Sequence, residues 1–456
     1  MVAGVIIRKG VMMKRQYRDS MTVGFALFAI FFGAGNLIFP PYLGFSAGRD
    51  WLSATGGFLL TDPFLAILTV VVTTKLGGRI DDIGRRVGVN FAKGLGVLTI
   101  LLITSLVAVP RTAATVHEIA IAPNFPGISP VWTSIIFFSL TMYFVFNEGR
   151  VIDFIGNFLT PMLLITLAIF IIRVVFNPPG ELSAPIVEGN QFIRGFMEGY
   201  QTMDALAAPL MAGIVVTDFV RRGYGHPEQS YHMVKKAGYI ALALLIFVYS
   251  GLTYIGATMG SHFPASVTRV EILLGSFLQV FGGMGAVLIA LIVTLACLTT
   301  SVGLTATCGD FFHSISNGRL SYKAIVLWSL VVSFLISLFT VDEIIIYAGP
   351  ILEVIYPVMI TLVLLSAVDQ FIIYDMTYIG AVTGVLLMSI IEVASRLLGW
   401  TGFSQWLDHW IPLASIGLAW VMPAIILGIV FGLIGKYAAV GKQLADHNEV
   451  HTVYRA

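Results

Sequence analysis

Residues Ser20 to Gly48 read SMTVGFALFAIFFGAGNLIFPPYLGFSAG, 29 positions without a charged side chain. As one straight helix they would reach about 43 Å, against a hydrocarbon core of about 30 Å. Something has to interrupt them, and the centre of the run shows what. Phe32-Gly33-Ala34-Gly35-Asn36, followed by Phe39-Pro40-Pro41, combines helix-weakening glycines, an amide able to ligate a cation and two prolines. The stretch is therefore expected to be a membrane span that breaks near Gly33. Backbone released from a helix inside lipid is tolerated only where it is buried in protein or lines a cavity. Glycines at this spacing also make a helix-packing face, and on this segment alone both readings stand.

The rest of the chain is of the same kind. Its 456 residues are 57% apolar and only 11% charged, with a mean hydropathy of +0.90, whereas soluble domains are roughly 25% charged. The pattern predicts an all-α polytopic membrane protein of about 12 spans, starting near residues 21, 51, 94, 131, 151, 191, 235, 278, 323, 343, 376 and 411. Under this assignment 20 of the 26 Lys and Arg residues fall on one side, which the positive-inside rule makes the cytoplasm. Both termini are expected there, residues 1–20 as an N-terminal segment and 437–456 as a tail. Arg8, Lys9, Lys14, Arg15 and Arg18 precede a full-length span with no small-residue cleavage site, so the first helix is expected to stay uncleaved. No linker or low-complexity tract interrupts residues 21–436, which read as a single transmembrane domain.

Net charge is +1 and the basic residues are scattered among loops, so no nucleic-acid partner is expected; the partner is the lipid bilayer. Cys297 and Cys308, 11 residues apart on one predicted helix, would lie about 16 Å apart, too far to bridge. Buried small hydrophobes are expected at both.

A second interruption raises the weight of the first. The sixth span carries Glu198-Gly199-Tyr200-Gln201-Thr202-Met203-Asp204-Ala205, then Pro209 and Gly213. Paired interruptions at corresponding positions of two halves point to a transporter's binding site between inverted repeats. The repeats would be residues 21–177 and 191–368. Asp204 is a carboxylate at helix centre, costing about 2.5 to 3.5 kcal/mol on insertion scales. It needs a substrate ammonium, a cation or a proton, or it caps the half-helix that follows; one residue can do both. A third element, Leu295-Ala296-Cys297-Leu298-Thr299-Thr300-Ser301, sets three hydroxyls in an apolar run. Hydroxyls suit a hard monovalent cation, and they equally bond back to their own helix.

Other intramembrane charges have blander readings. Asp62 and Glu353 suggest packing or gating contacts, and Arg111 and Glu118, seven residues apart, would share a helix face and pair beyond that helix. His117-Glu118 lacks the second histidine of a zinc site. No phosphate loop is present; the absence of a filter repeat or ring of charge disfavours an ion channel, and no clustered catalytic set suggests an enzyme.

At four places the chain resembles the branched-chain amino acid:cation symporter family (LIVCS, BrnQ type): Phe25 to Gly44 (FALFAIFFGAGNLIFPPYLG), Val109 to Ala113 (VPRTA), Gly199 to Ala207 (GYQTMDALA) and Leu295 to Leu304 (LACLTTSVGL). The similarity runs from about residue 20 to 435. Asn147-Glu148-Gly149-Arg150 departs from the more basic, proline-containing loop of the family.

The resemblance implies the five-plus-five inverted repeat of the leucine-transporter fold, with two extra helices over residues 376–436. It implies import of Leu, Ile and Val with Na+ or H+ across the bacterial cytoplasmic membrane, with no cofactor and no metal beyond the transported ion. It places the substrate on Gly33, Ala34 and Gly35 of the first break and Thr202, Met203 and Asp204 of the second. The cation would use carbonyls of Ala29, Phe32 and Cys297 with the hydroxyls of Thr300 and Ser301; Asn36 and Thr202 match ligands of a second cation site in relatives. A general neutral amino acid symporter is the alternative, since an aliphatic pocket admits other apolar amino acids.

Overall fold

The computed structural model describes residues 2–79, 82–147 and 160–453, with backbone alone for 2–12, 160, 404, 408 and 439–453. The start expected for a span at 151 and most of the Asn147 to Arg150 loop lie outside these residues. Every regular element among them is helical. Seven helical stretches are long and apolar enough to cross a membrane, an eighth if the bent pair Gln191–Thr202 and Asp204–Arg221 counts as one span. Shorter apolar helices cover Pro130–Phe146, Pro161–Phe176 and Tyr322–Ile336.

The chain divides into two compact units, residues 1–78 with 97–349 and residues 79–96 with 350–456. The first unit opens with α1 (Val2–Phe31) and α2 (Ala34–Ala47), separated only by Phe32 and Gly33. Then come α3 (Trp51–Leu59) and α4 (Leu65–Leu76), joined through the wide turn Leu60–Phe64. Pro63 sits in that turn without an N–H to donate, and an i→i+5 turn absorbs the extra residue. After α5 (Val89–Leu101), which begins in the second unit, further wide turns at Leu102–Leu106 and His117–Ile121 bracket α6 (Ala108–Val116).

Next follow α7 (Pro130–Phe146), α8 (Thr160–Phe176), α9 (Gln191–Glu198) and α10 (Asp204–Arg221). The unit is completed by α11 (Pro227–Ala257), α12 (Arg269–Phe281), α13 (Gly283–Ile315), α14 (Tyr322–Ile336) and the start of α15 (Val341–Ala367). Cys297 and Cys308 are both free and buried.

Two glycine-to-carbonyl crossings seat the half-helices on one side of the breaks. A Cβ on Gly44 would fall on the Thr253 carbonyl, and one on Gly256 on the Pro41 carbonyl, so α2 and α11 touch backbone to backbone. Gly57 meets the Phe192 carbonyl and Gly195 the Ala54 carbonyl, which brings α3 and α9 equally close. Small residues permit this approach, and packing at that distance is the main force between helices in lipid.

In the second unit, α16 (Asp375–Leu397) lies along α18 (Val421–Val453), with Gly380 and Gly384 against the carbonyls of Leu427 and Pro423. Arg86 binds Asp369 at 2.5 Å and Asp375 at 2.6 Å and stacks on Tyr378 at 4.6 Å. Glu353 pairs with Arg396. The sequence places a span start at 411, but α17 (Thr401–Trp410) ends there and the last long helix begins at Val421. Pro412 and the left-handed Leu413 and Gly417 account for the delay, because none of them continues a helix.

Candidate functional site

Both expected interruptions are present. At the first, α1 stops at Phe31, Gly33 takes an extended backbone (φ −99°, ψ −170°), and α2 starts at Ala34. At the second, α9 tightens into a 3₁₀ turn over Gly199–Thr202, Met203 flips to φ 65°, and α10 leaves at a 48° bend.

The breaks are tied to each other through side chains. Asn36, in the first turn of α2, donates from Nδ2 to Asp204 Oδ2 at 2.8 Å and to the Tyr249 hydroxyl at 2.6 Å, with Asp62 Oδ2 at 3.4 Å. The Thr202 hydroxyl donates to Asp62 Oδ1 at 2.8 Å. Asp62 is completely buried and Asp204 is 8% exposed. Two carboxylates from spans far apart in sequence thus share one amide donor in the interior. Asp204 is the first residue of α10, at the positive end of its dipole.

The sequence suggests packing or gating contacts for Asp62, whereas the structure places it at the centre of the cluster. The wide turn at Leu60–Phe64 presents it, and such turns recur at functional sites. The signal available was the Asp62-Pro63 pair in mid-span.

Beside this cluster lies a cavity of about 360 Å³, within the range of small-molecule sites. Gly33, Ala34, Gly35, Asn36, Thr202, Met203 and Asp204 all line it, as do Ala29 and Thr300. Thr300 Oγ1 stands 3.5 Å from where a Cβ on Gly33 would be. Phe32, Cys297 and Ser301 are buried; the Ser301 hydroxyl bonds to Thr141 on α7 at 3.2 Å, and Thr299 bonds back to the Ala296 carbonyl. From the breaks the lining continues along Met211 and Ile214 on α10 and Gly303 and Thr307 on α13.

On the opposite side of the breaks the polar groups close on one another. Arg269 bonds Glu198 at 3.0 Å and Asp342 at 2.7 Å, and its guanidinium stacks on Tyr42 at 4.4 Å and Phe39 at 5.8 Å. Burial alone would lower its pKa, but the Glu198 and Asp342 carboxylates outweigh it and hold the group above its ordinary value. Glu118 does not pair with Arg111; its Oε1 accepts the Val341 N–H at 2.8 Å and so caps α15. Arg111 turns instead toward the cavity, its Nη1 donating to the Gln201 carbonyl at 2.8 Å. His117 bonds Thr133 at 2.9 Å, and among the described residues no cluster of His, Cys, Asp and Glu could hold a metal.

Comparison with known proteins agrees with this geometry. The family model described as branched-chain amino acid transport protein matches residues 16–438. The branched-chain amino acid permease BraB of Bacillus subtilis is 35% identical over 442 residues, covering 94% of this chain and 98% of that protein. The branched-chain amino acid transport system 2 carrier protein of Pseudomonas aeruginosa is 36% identical, covering 92% and 97%. Among solved structures, the nucleobase-cation-symport-1 family transporter Mhp1, closed with bromovinylhydantoin bound, aligns over 90% of this chain and 91% of its own with TM-score 0.57 at 14% identity. A Na+-coupled sialic acid symporter in a substrate-bound outward-open state aligns over 91% and 90% with TM-score 0.55 at 14% identity. These two likenesses speak to the fold. With its apolar helices, its paired breaks and its match to relatives along nearly the whole sequence, the chain belongs to the branched-chain amino acid transport protein family and is a multi-pass membrane transport protein, not an enzyme.

Proposed function

We propose that this chain imports leucine, isoleucine and valine across the bacterial cytoplasmic membrane by symport with a monovalent cation, Na+ or H+. The observation that carries the reading is the Asp62, Asn36 and Asp204 cluster, which joins the two breaks beside the cavity. Each buried carboxylate loses several kcal/mol of hydration, and one amide with two hydroxyls does not neutralise two of them. A cation or proton that arrives there with the substrate lowers that cost, and by linkage the substrate then raises the affinity for the cation.

In this reading the substrate carboxylate meets Gly33, Ala34 and Gly35, where the N-terminus of α2 offers unsatisfied N–H groups. The ammonium lies toward Asp204, with Thr202 and Met203 as further wall. Ala29, Phe32, Cys297, Thr300 and Ser301 supply the cation position between α1 and α13, separate from the one at Asn36 and Thr202. The two breaks support an inverted repeat of residues 21–177 and 191–368 within twelve spans, and the cavity's lining toward Ile214 and Thr307, opposite the Arg269 cluster, supports a state open to the cytoplasm. The aliphatic walls fit branched side chains.

The test is uptake of labelled leucine by the purified protein in vesicles. One positive charge moving down 100 mV releases about 2.3 kcal/mol, so an imposed inside-negative potential is expected to drive roughly 50-fold accumulation. Replacing sodium by choline at fixed pH identifies the ion, and competition by isoleucine and valine but not alanine or phenylalanine identifies the cargo. Leucine that only equilibrates under both a sodium and a proton gradient would overturn the symport reading.

A further inference from the structure

Three buried or half-buried arginines of this molecule can be compared, and one differs. Arg269 holds two carboxylates, Glu198 and Asp342; Arg86, in the other unit, also holds two, Asp369 and Asp375. Arg111 is only 3% exposed, yet among the described residues no carboxylate comes within ion-pair distance of it, and its one hydrogen bond is from Nη1 to the Gln201 carbonyl. A guanidinium carries five N–H donors. Burying it without an anion is costly, so the fold leaves it waiting for one.

Its surroundings say where that anion would sit. Arg111 lines the cavity, and one face of the guanidinium is covered by the Phe39 ring at 5.1 Å. Nη2 lies against Gly35, 2.6 Å from the position a Cβ would take there. Gly35 is the second residue of α2, a helix of 14 residues whose first N–H groups have no acceptor of their own. A buried cation and a helix N-terminus therefore face the same corner. Asp204, an acidic residue able to accept from an ammonium, lines the same cavity.

We propose that Arg111 receives the carboxylate of the transported amino acid, which the Ala34 and Gly35 N–H groups complete, so that the zwitterion lies with its ammonium toward Asp204. This rests on the reading that the chain carries amino acids, and adds the residue that makes a free carboxylate a condition of transport. It also gives Gly35 a reason to be glycine, since any side chain there would displace the guanidinium. Arg111 acts as a binding residue, and the charge it pairs with beyond its own helix is that of the substrate.

The experiment compares leucine with leucinamide, which keeps the side chain and ammonium but has a neutral amide for the carboxylate, as inhibitors of labelled leucine uptake by the protein in vesicles. In the wild type leucinamide is expected to inhibit at least 100-fold more weakly than leucine. Arg111→Lys keeps the buried charge but loses the fork, and Arg111→Gln loses both. Each is expected to raise the KM for leucine about 10- to 100-fold while the Ki of leucinamide moves little, so that the preference for leucine shrinks by the same factor. Where a variant no longer turns over, the same ratio is read from stabilisation of the detergent-solubilised protein by each compound.

A preference for leucine unchanged in both variants, or a fall in kcat with KM unchanged, would overturn the proposal and leave Arg111 as a structural or gating cation that offsets Asp204. Should Arg111→Gln not fold, Arg111→Lys decides alone. A wild type that neither transports nor binds leucine would instead overturn the amino acid reading itself.

Discussion

At the first break the chain turns on a glycine with extended backbone, φ −99° and ψ −170°; at the second it turns on Met203, a non-glycine residue held left-handed at φ 65°. Any residue adopts the first conformation. Gly33 is therefore not there for its dihedral freedom; its lack of a side chain leaves the backbone facing the cavity and Thr300 close by. Met203 is different. The left-handed region costs an L-residue about 1 to 2 kcal/mol, and the surroundings hold it there: the side chain is 2% exposed, its N–H reaches the Tyr200 carbonyl, and its own carbonyl accepts from Leu206 and Ala207. The first break is relaxed and the second is strained, so conformational energy is stored where Asp204 begins its helix.

The largest expected effect comes from cutting the tie between the two breaks. Asp204→Asn is expected to abolish gradient-driven leucine accumulation, from roughly 50-fold to the diffusive level, while the protein still inserts and purifies normally. Asp62→Asn should do the same if the pair works as one unit, as groups in one buried network do. Near-normal uptake in either variant would show that the breaks act independently.

A smaller effect separates the half-helix seats from the breaks themselves. Gly195→Val drives a side chain into the Ala54 carbonyl and is expected to destabilise by about 1 to 3 kcal/mol or more, read as a fall of several degrees in Tm in detergent. Gly33→Ala meets the Thr300 hydroxyl and methyl and the Asn36 amide oxygen at ordinary contact distances and should stay within about 0.5 kcal/mol. Equal melting temperatures for the two would refute the claim that backbone contact, and not the break, needs glycine for stability.

The smallest effect reads the strain. Met203→Gly and Met203→Ala both lose the buried side chain, but only the alanine keeps the left-handed penalty. The glycine variant is expected to be the more stable by about 1 kcal/mol, the reverse of their usual order. An alanine variant at least as stable would mean that no strain is stored at Met203.

Both breaks were legible because glycine, proline and a buried aspartate inside an apolar run are locally inconsistent with a continuous span, and that inconsistency is carried by neighbouring residues. The sites they make depend on residues distant in sequence. Asp62 looks like Glu353 when each is read in its own span, a lone carboxylate near a proline; only packing distinguishes them, one meeting Asn36 and Thr202 and the other Arg396. The spacing of Arg111 and Glu118 implies a shared face, yet the wide turn from His117 to Ile121 begins just before Glu118, which caps α15 while Arg111 reaches the cavity. Seven-residue spacing presumes a regular helix, which this stretch is not. The start of the last long helix was misplaced for the converse reason: Trp410 to Leu413 is apolar enough for lipid, but hydropathy does not register that Pro412 and a left-handed Leu413 cannot extend a helix.

The glycine crossings that seat α2 and α9 have a mechanical consequence. They pin the half-helices on one side of the breaks, so each break becomes a fulcrum and the half on the other side a lever. α10 has 18 residues and so an arm of about 27 Å; turning it by about 10° at Met203 sweeps its far end through about 5 Å, the width of a helix turn. The same turn would carry Ile214, which lies about halfway along the arm and lines the cavity, through about half that distance.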